Sequence, residues 1–187
     1  GYYDIFLFDT DFNNVYTVFK EADFGTNFGE QGGPWAGSDL GKVVRAAMAA
    51  EPGQVFLSDF APYGPSAGVA ASFIAAPVHD QGFLIGVLAF QLPTGRIADV
   101  LSRTQGLGAS GELFLVGQDG LARNNSPATE ADDALTLPVR GDAITAALGG
   151  GAALGALDHH EGARYVAAAQ PLSFGGVDWA VTALESQ

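Results

Sequence analysis

The same succession of strands and turns occurs twice along the chain, and this repeat limits the possible folds more than any other feature of the sequence. In the first copy, an apolar strand at 5–8 is followed by a polar turn and a second strand at 15–19. In the second copy, an apolar strand at 113–116 is followed by a Gln-Asp-Gly turn and a shorter segment at 121–123. Recurrence of one order of elements is the signature of a duplicated unit. The sequence therefore predicts two modules in tandem.

Both copies also carry one helix and end in an antiparallel hairpin. Ser38 is a suitable N-cap for a helix over 39–50, where apolar residues recur at helical spacing, and residues 142–148 supply the second helix. Each copy then closes with an apolar strand containing a proline, a polar or glycine turn and a final apolar strand. These closing hairpins cover 72–92 and 165–184.

The order of elements predicts the fold class. Two strands, a loop with a helix, and three further strands (55–60, 70–78 and 83–92 in the first copy) match a PAS-like five-stranded antiparallel sheet with helices on one face. We therefore expect an α+β protein with two such modules. The first covers residues 1–93, a connecting helix and hinge cover 94–110, and a smaller module with less room for a ligand covers 111–187.

Charge and composition exclude several classes of function. The formal net charge of the 187 residues is −13 with only eight lysines and arginines, so a nucleic acid or an anionic membrane surface would be repelled. The chain contains no cysteine, which excludes thiol catalysis, disulfides and thiolate metal sites. No apolar run approaches the roughly 20 residues that a membrane-spanning helix needs. The sequence has the character of a soluble segment taken from a longer protein.

Two glycine motifs resemble catalytic or nucleotide-binding signatures but stand in the wrong context. Residues 64–68 match the Gly-x-Ser-x-Gly nucleophile elbow around Ser66, yet a strand rather than a helix follows, so we interpret them as a hairpin turn. Residues 106–111 match the dinucleotide fingerprint, but they follow a helix and open a strand, the reverse of the required order. A turn and a hinge are therefore expected, and a serine hydrolase using Ser66 is kept only as an alternative.

Candidate metal ligands are equally poor matches. Asp9, Asp11 and Asn13 have the spacing that opens an EF-hand loop, but Asn14 and Lys20 stand where the loop needs Gly and Glu. The adjacent residues at 159–160 are histidines that point to opposite sides of a strand, and with their acidic neighbours at 158 and 161 they are interpreted as a solvated turn. We expect no metal, no cofactor and no catalytic residues.

Several segments resemble the extracytoplasmic double Cache domain of bacterial transmembrane receptors. The resemblance extends over nearly the whole chain and is carried by residues 2–7, 15–27, 58–63 and 106–112. It implies a membrane-distal ligand-binding module followed by a membrane-proximal one, with a chemotaxis, histidine kinase or nucleotide cyclase output domain in the full-length protein. Receptors of this family also carry a long helix before the first strand, which this chain lacks.

The resemblance implies a small organic ligand, a periplasmic location, anchoring of the full-length protein in the inner membrane and a possible homodimer. Amino-acid-binding members carry an Arg and a Trp-Tyr pair ahead of the third strand. Here the corresponding stretch is Gly33-Pro34-Trp35 and lacks both the Arg and the Tyr, which argues against an amino acid ligand. The alternative is a structural spacer or dimerisation module whose pocket is filled by its own aromatic side chains.

The candidate ligand site lies in the first module, on the side of the sheet that faces the helix. Asp59 is an acidic residue in an expected apolar strand, and a buried carboxylate needs a partner. Ligand contact and a purely structural role remain open for Asp59 and Tyr63, and for Trp35 a place in the core is slightly favoured. Binding sites are concave, aromatic and sparsely polar. The expected ligand-binding residues on this basis are Asp59, Tyr63, Ser66, Trp35, Tyr16, Phe73 and Phe90.

Overall fold

A computed structural model of the chain describes residues 2–102, 106–108, 110–129, 131–159 and 162–187. Its contacts divide the chain into two compact units. The first consists of Gly1–Pro93 with Gly175–Val177, and the second consists of Thr94–Phe174 with Asp178–Gln187. The expected α+β architecture with two antiparallel sheets is confirmed.

The first unit is a twisted antiparallel sheet with one helix against it. Among its described residues the sheet has six strands in the order β2-β1-β6-β5-β3, with β4 paired to β5. Their bounds are β1 Asp4–Phe8, β2 Asn14–Thr17, β3 Phe56–Leu57, β4 Ala61–Pro62, β5 Ala70–Asp80 and β6 Phe83–Pro93, and helix α1 spans Asp39–Met48.

Alternation along the strands decides which face of this sheet becomes the core. In β1 the side chains of Phe6 and Phe8 are buried while Leu7 between them is 41% exposed, as the two-residue period of a strand requires. Phe6, Phe8 and Phe73 pack with the apolar residues of α1 in one cluster. The core therefore lies between α1 and one face of the sheet.

Local sequence explains where α1 begins. The Ser38 hydroxyl accepts a hydrogen bond from the Gly41 amide at 3.3 Å, so the expected N-cap is confirmed. At the other end, the backbone amide of Ala49 donates hydrogen bonds to carbonyl oxygens of the last helical turn. The helix ends at Met48, two residues before the expected end.

The second unit repeats the arrangement with fewer strands. Its four-stranded sheet, counted over the described residues, has the order β7-β10-β9-β8. Phe114, Ile144 and Leu184 lie in its core. The elements are α2 Thr94–Leu101, β7 Glu112–Val116, α3 Asp142–Leu148, β8 Ala153–His159, β9 Ala163–Phe174 and β10 Val177–Ser186.

Several expected details differ from the structure. Five strands were expected in each sheet. In the second unit the segment 121–123 makes only single bridges, Val116 with Ala122 and Leu121 with Pro138, because the chain turns away after each pair. The expected strand over 55–60 is reduced to β3, so Asp59 lies in an irregular segment rather than in a strand.

The expected solvated turn at 158–161 is wrong for His159. Strand β8 continues to this residue, and its imidazole is 5% exposed, packed edge-to-face against Phe114 and Tyr165. Residues 160 and 161, which belonged to the same expectation, lie outside the described residues, as does residue 109 of the expected hinge at 106–111. Within the described ranges no helix combines the length and apolar composition that crossing a membrane requires.

Candidate functional site

A small cavity opens between the first turn of α1 and strands β4 and β5. Its volume is about 230 Å³. Two aromatic rings of the core, Tyr63 and Phe73, form its inner wall and contact each other edge-to-face with centroids 4.8 Å apart. The remaining lining residues are Gly37, Ser38, Asp39, Lys42, Ala61, Pro62 and Ala71.

The polar groups of the cavity come from the start of α1. The Lys42 ammonium forms an exposed ion pair with Asp39 at 2.7 Å, one helical turn earlier. The first turn of a helix also presents backbone amides and the positive end of the helix dipole. This wall can hold polar or anionic parts of a small molecule, while Tyr63 and Phe73 hold apolar parts.

Behind the cavity, the Tyr63 hydroxyl is held by a buried carboxylate. The phenol donates a hydrogen bond to Asp23 Oδ2 at 2.6 Å, and both side chains are buried. Asp23 lies in the long loop between β2 and α1, whose backbone is folded over this end of the sheet by Asn14 and Thr26, which both donate to the Asp23 carbonyl oxygen. Tyr63 therefore connects the cavity with this loop.

A second set of hydrogen bonds joins the same loop to the sheet. Ser66 Oγ donates to Glu21 Oε2 at 2.8 Å and accepts from Gln91 Nε2 at 3.1 Å. The Tyr3 hydroxyl donates to the other oxygen of Glu21 at 3.1 Å. Ser66 and Gln91 are buried, so the bond between them is shielded from water and stronger than a surface bond would be, whereas the bond from Tyr3 is exposed.

A third carboxylate, Asp4, lies beside these groups at the start of β1, directly opposite Gln91 in the sheet. Its side chain is buried and accepts hydrogen bonds from the Thr17 hydroxyl at 3.0 Å and from the Val18 amide at 2.8 Å. We call Asp4, Glu21 and Asp23 the carboxylate cluster. It occupies one end of the helix-facing side of the sheet.

The electrostatics of the cluster disfavour charge on Asp23. Burial raises the pKa of the Asp23 carboxyl, the hydrogen bond from Tyr63 lowers it in part, and the negative charges of Glu21 and Asp4 raise it further. Burial and the neighbouring Asp23 carboxylate likewise raise the pKa of the Tyr63 phenol, so that Tyr63 stays a neutral donor at all ordinary pH values.

The raised pKa of Asp23 gives a prediction for stability against pH. A carboxyl whose native pKa lies above its unfolded value destabilises the native state once pH exceeds the unfolded pKa of about 3.9, and the penalty is complete above the native pKa. Asp23→Asn is therefore expected to raise the melting temperature relative to the wild type at pH 7, with the difference shrinking as pH falls through the raised native pKa and vanishing below the unfolded pKa of about 3.9. Thermal melts in a pH series measure this difference.

Asp9 provides a control of opposite sign. Burial raises its pKa, but hydrogen bonds from Asn13 and from the Asp11 amide outweigh burial and leave the pKa lowered. Such a group stabilises the native state above its unfolded pKa and loses that effect as pH falls through the native value. Asp9→Asn should therefore lower the melting temperature at pH 7. Equal effects of the two substitutions would show that Asp23 is not destabilised by its surroundings.

Trp35 covers Tyr63 from the loop. Its indole donates to the Ala22 carbonyl at 3.2 Å, and its ring centroid lies 6.4 Å from that of Tyr63. The approach requires glycine at position 64, because a Cβ there would lie 2.7 Å from the Trp35 ring. Residues 64–68 form the expected turn, which is confirmed. The glycine at its start leaves room for the Trp35 indole.

Gly64→Ala is expected to displace Trp35 and to lower the free energy of unfolding by about 1–3 kcal/mol, the usual cost of overpacking. Urea denaturation measures the loss. Gly95→Ala is the matched control, since a Cβ at Gly95 meets no atom within 4 Å and the position is helical. A loss no larger than that of the control would mean that Trp35 does not pack as described.

The structure brings together four of the seven residues expected at the site. Tyr63 and Phe73 line the cavity, Trp35 packs on Tyr63, and Ser66 lies in the hydrogen-bonded set with Glu21. Asp59 is half-buried elsewhere, with its carboxylate accepting from the Phe60 amide at 2.7 Å. Its role as a ligand contact stays a prediction, without support from the cavity at Tyr63.

Tyr16 and Phe90 lie on the other face of the sheet, so their expected placement toward the helix is wrong. Tyr16 pairs with the outward-facing Leu7 and is 45% exposed. In β6 the two neighbours of Phe90 are buried and face the helix, so Phe90 points to the outer face. There its ring stacks on that of Tyr2 with centroids 4.3 Å apart. The continuous apolar runs of β1 and β6 conceal which residues point inward, because both faces carry large side chains.

Sequence reasoning missed the carboxylate cluster. Glu21 and Asp23 fall in a Gly-rich acidic loop that has no periodic signal, and their partners Ser66 and Tyr63 are 45 and 40 residues away along the chain. A buried Asp4 at the start of an apolar strand was the one visible clue. Among the described residues, no three His, Cys, Asp or Glu side chains are placed to hold a metal ion.

Comparison with known proteins identifies the fold. No protein-family model matches the chain, and no curated protein matches its sequence. Among solved structures, the ligand-binding domain of the Pseudomonas fluorescens chemoreceptor CtaA, in complex with L-serine, aligns with 99% of this chain and 73% of its own at 18% identity and a TM-score of 0.62.

Two Pseudomonas aeruginosa PAO1 amino acid chemoreceptors give similar alignments. The ligand-binding domain of PctB with L-Gln is 20% identical over 100% of this chain and 69% of its own, with a TM-score of 0.61. The ligand-binding domain of PctC with GABA is 16% identical over 98% of this chain and 74% of its own, with a TM-score of 0.62. These are double Cache domains, and the α+β architecture of this chain, with two antiparallel sheets, matches theirs. The chain therefore has the double Cache fold.

Proposed function

We propose that this chain is the extracytoplasmic small-molecule sensor domain of a transmembrane signalling receptor, and that it binds its ligand in the cavity beside Tyr63. The observation that carries the proposal is the shared fold over nearly the whole chain with three chemoreceptor domains, each in complex with a small molecule. The cavity of about 230 Å³ suits a ligand smaller than the drug-sized molecules that fill pockets of about 300–1,000 Å³.

The local chemistry favours binding over catalysis. Ser66 Oγ is hydrogen-bonded to Glu21 and Gln91, and the turn that carries it leads into β5 rather than into a helix. A nucleophile elbow needs the strand-to-helix turn that exposes its serine. The proposal is therefore a sensor without enzymatic activity, anchored in the membrane through other parts of the full-length protein. A homodimer stays a prediction.

A thermal-shift screen of the chain against small amines, amino acids, organic acids and purines tests this proposal. A ligand at about a hundredfold excess over its dissociation constant stabilises the native state by about 2.7 kcal/mol, which is readily visible. Gly37→Phe is the informative variant. Gly37 lines the cavity, and a Cβ there meets no atom within 4 Å, so a phenylalanine can be introduced without a clash at its Cβ, and we expect its ring to obstruct the cavity.

Gly95→Phe is the matched control, because it too adds a ring at an open position, but in α2 of the second unit. We expect the active compound to stabilise the wild type and Gly95→Phe and to leave Gly37→Phe unchanged. Equal stabilisation of all three proteins would place the ligand elsewhere. Absence of any stabilisation across the screen would favour a structural spacer.

A further inference from the structure

We infer that the second unit holds a ligand site of its own, which takes an uncharged aromatic molecule that carries hydrogen-bonding groups. The site is a cavity of about 680 Å³ between one end of the hairpin of β8 and β9 and the loop that carries Leu137 and Pro138. This volume falls among the about 300–1,000 Å³ of typical small-molecule pockets. The cavity beside Tyr63 is smaller, at about 230 Å³. The inference goes beyond the proposed function, which concerns the first unit.

Strand alternation places two polar rings on the wall of this cavity. In the register of β8 and β9, Leu157 lies opposite Tyr165, and His159 follows Leu157 by two residues, so all three side chains share one face of the sheet. Leu157 and Tyr165 belong to the core of the second unit, so this is its core face. His159 and Tyr165 are 5% and 7% exposed, and both line the cavity. Two buried polar side chains therefore lie where the core borders the cavity.

The two polar rings belong to an aromatic wall. The His159 imidazole lies edge-to-face with the rings of Tyr165 and Phe114, with centroids 5.6 and 5.5 Å apart. An aromatic ligand gains offset or edge-to-face contacts with such rings in addition to the burial of its surface, and a saturated ring of equal size does not. A neutral imidazole and a phenol can each donate and accept a hydrogen bond. This wall therefore favours an aromatic ring with polar groups on its edge.

The opposite wall is apolar and is fixed to the sheet by hydrogen bonds. Leu137 and Pro138 line this side of the cavity. The Leu137 carbonyl accepts from the Ala122 amide at 2.9 Å. Earlier in the same loop, the Ser126 hydroxyl donates to Glu112 Oε2 at 2.5 Å, and both side chains are buried. The loop is thus held against the start of β7, and the cavity has the preformed walls that are usual for a small-molecule site.

The charges around the cavity disfavour a charged ligand of either sign. Among the described residues that line it there is no lysine or arginine, and Asp158 is acidic, so an anion would lack a counter-ion. Asp158 Oδ1 already pairs with Arg164 Nη1 at 3.2 Å, so a cation would compete with that pair. Burial and the negative charge of Glu112 raise the pKa of the Tyr165 phenol, which stays neutral at ordinary pH. An uncharged ligand meets neither penalty.

Three compounds of similar size test the ligand class. Nicotinamide is neutral and aromatic, nicotinate is anionic and aromatic, and cyclohexanecarboxamide is neutral and saturated. The intact chain is titrated with each compound by calorimetry at pH 8, where an ordinary imidazole is neutral. We expect nicotinamide to bind about 3- to 10-fold more tightly than either of the other two, which is the ratio that one aromatic contact supplies.

Four variants locate the bound nicotinamide. Ala128 is exposed and lines the cavity, so Ala128→Phe is expected to obstruct it and abolish binding. Ala168→Phe is the matched control, since Ala168 is exposed on β9 between two buried residues and points away from the core face. Tyr165→Phe keeps the ring, removes the hydroxyl and should weaken binding about 3- to 10-fold. Gly37→Phe, at the first cavity, should bind nicotinamide as the wild type does.

Three outcomes would overturn the inference, and each leaves the proposed function to its own test. If none of the three compounds binds the wild type, the second unit has no site of this class. If nicotinate or cyclohexanecarboxamide binds as tightly as nicotinamide, the ligand class is wrong. If Gly37→Phe abolishes nicotinamide binding while Ala128→Phe and Tyr165→Phe retain it in full, the compound binds in the first unit, which supports the proposed function and refutes a second site.

Discussion

Replacing Phe73 with alanine is expected to lower the free energy of unfolding by about 3–5 kcal/mol, the usual cost of truncating a buried phenylalanine. The ring is 1% exposed and lies at the centre of the first core, edge-to-face with Phe6 at 6.2 Å and with Tyr63 at 4.8 Å. Its removal therefore loses apolar burial, two aromatic contacts and one wall of the cavity. Urea denaturation followed by circular dichroism measures the loss.

Phe83→Ala is the control for that experiment. Phe83 begins β6 beside the turn after β5 and is 75% exposed, so its truncation should change stability by no more than about 0.5 kcal/mol. A loss below about 1 kcal/mol for Phe73→Ala would contradict the assignment of this ring to the core, because cavity formation at a fully buried site costs more than that.

The second large effect is expected at the hydrogen bond between Tyr63 and Asp23. Tyr63→Phe removes the donor and leaves a fully buried carboxyl with no side-chain partner, so we expect a loss of about 1.5–3 kcal/mol. The wild-type distance of 2.6 Å is that of a charge-assisted bond, in which an ionised partner makes the bond roughly twice as strong as a neutral one. Denaturation at pH 7 measures the change.

A double-mutant cycle separates this bond from simple loss of a hydroxyl. Asp23→Asn removes the buried charge, so Tyr63→Phe should cost less in that background than in the wild type. We expect a coupling energy of at least about 1 kcal/mol between the two positions. Independent effects that add would mean that the hydroxyl and the carboxylate do not interact in solution.

Local signals in the sequence account for most of the architecture. Ser38 predicts the start of α1, because a serine hydroxyl at the N-cap accepts a hydrogen bond from the backbone amide three residues later. The structure has this bond, from the Gly41 amide. The hairpin of β5 and β6 follows from two apolar strands around a short polar turn. The duplicated order of elements predicts two units, since each copy must bury its own apolar face. These signals act over a few residues and can be read without tertiary contacts.

The site depends on contacts that such signals do not report. Tyr63 could be placed near the helix, yet nothing in the sequence pairs it with Asp23, which lies 40 residues earlier in a loop. The expected facing of Phe90 is wrong because β6 is apolar on both sides, which leaves alternation ambiguous. Tyr16 lies in the short strand β2, whose four residues give too little alternation to fix its facing. The sequence predicts a turn at His159 because acidic residues flank the histidine pair, whereas β8 continues to this residue and buries its ring.

Hydrogen–deuterium exchange of the chain, with and without the most stabilising compound of the screen, tests most directly whether the first unit binds ligand beside Tyr63. We expect slower exchange in the peptides that carry the loop of residues 18–37, the start of α1 and residues 61–73. Peptides of the second unit from β7 onward serve as the internal reference. Slower exchange confined to the second unit, with no change around Asp23 and Tyr63, would contradict the proposed site.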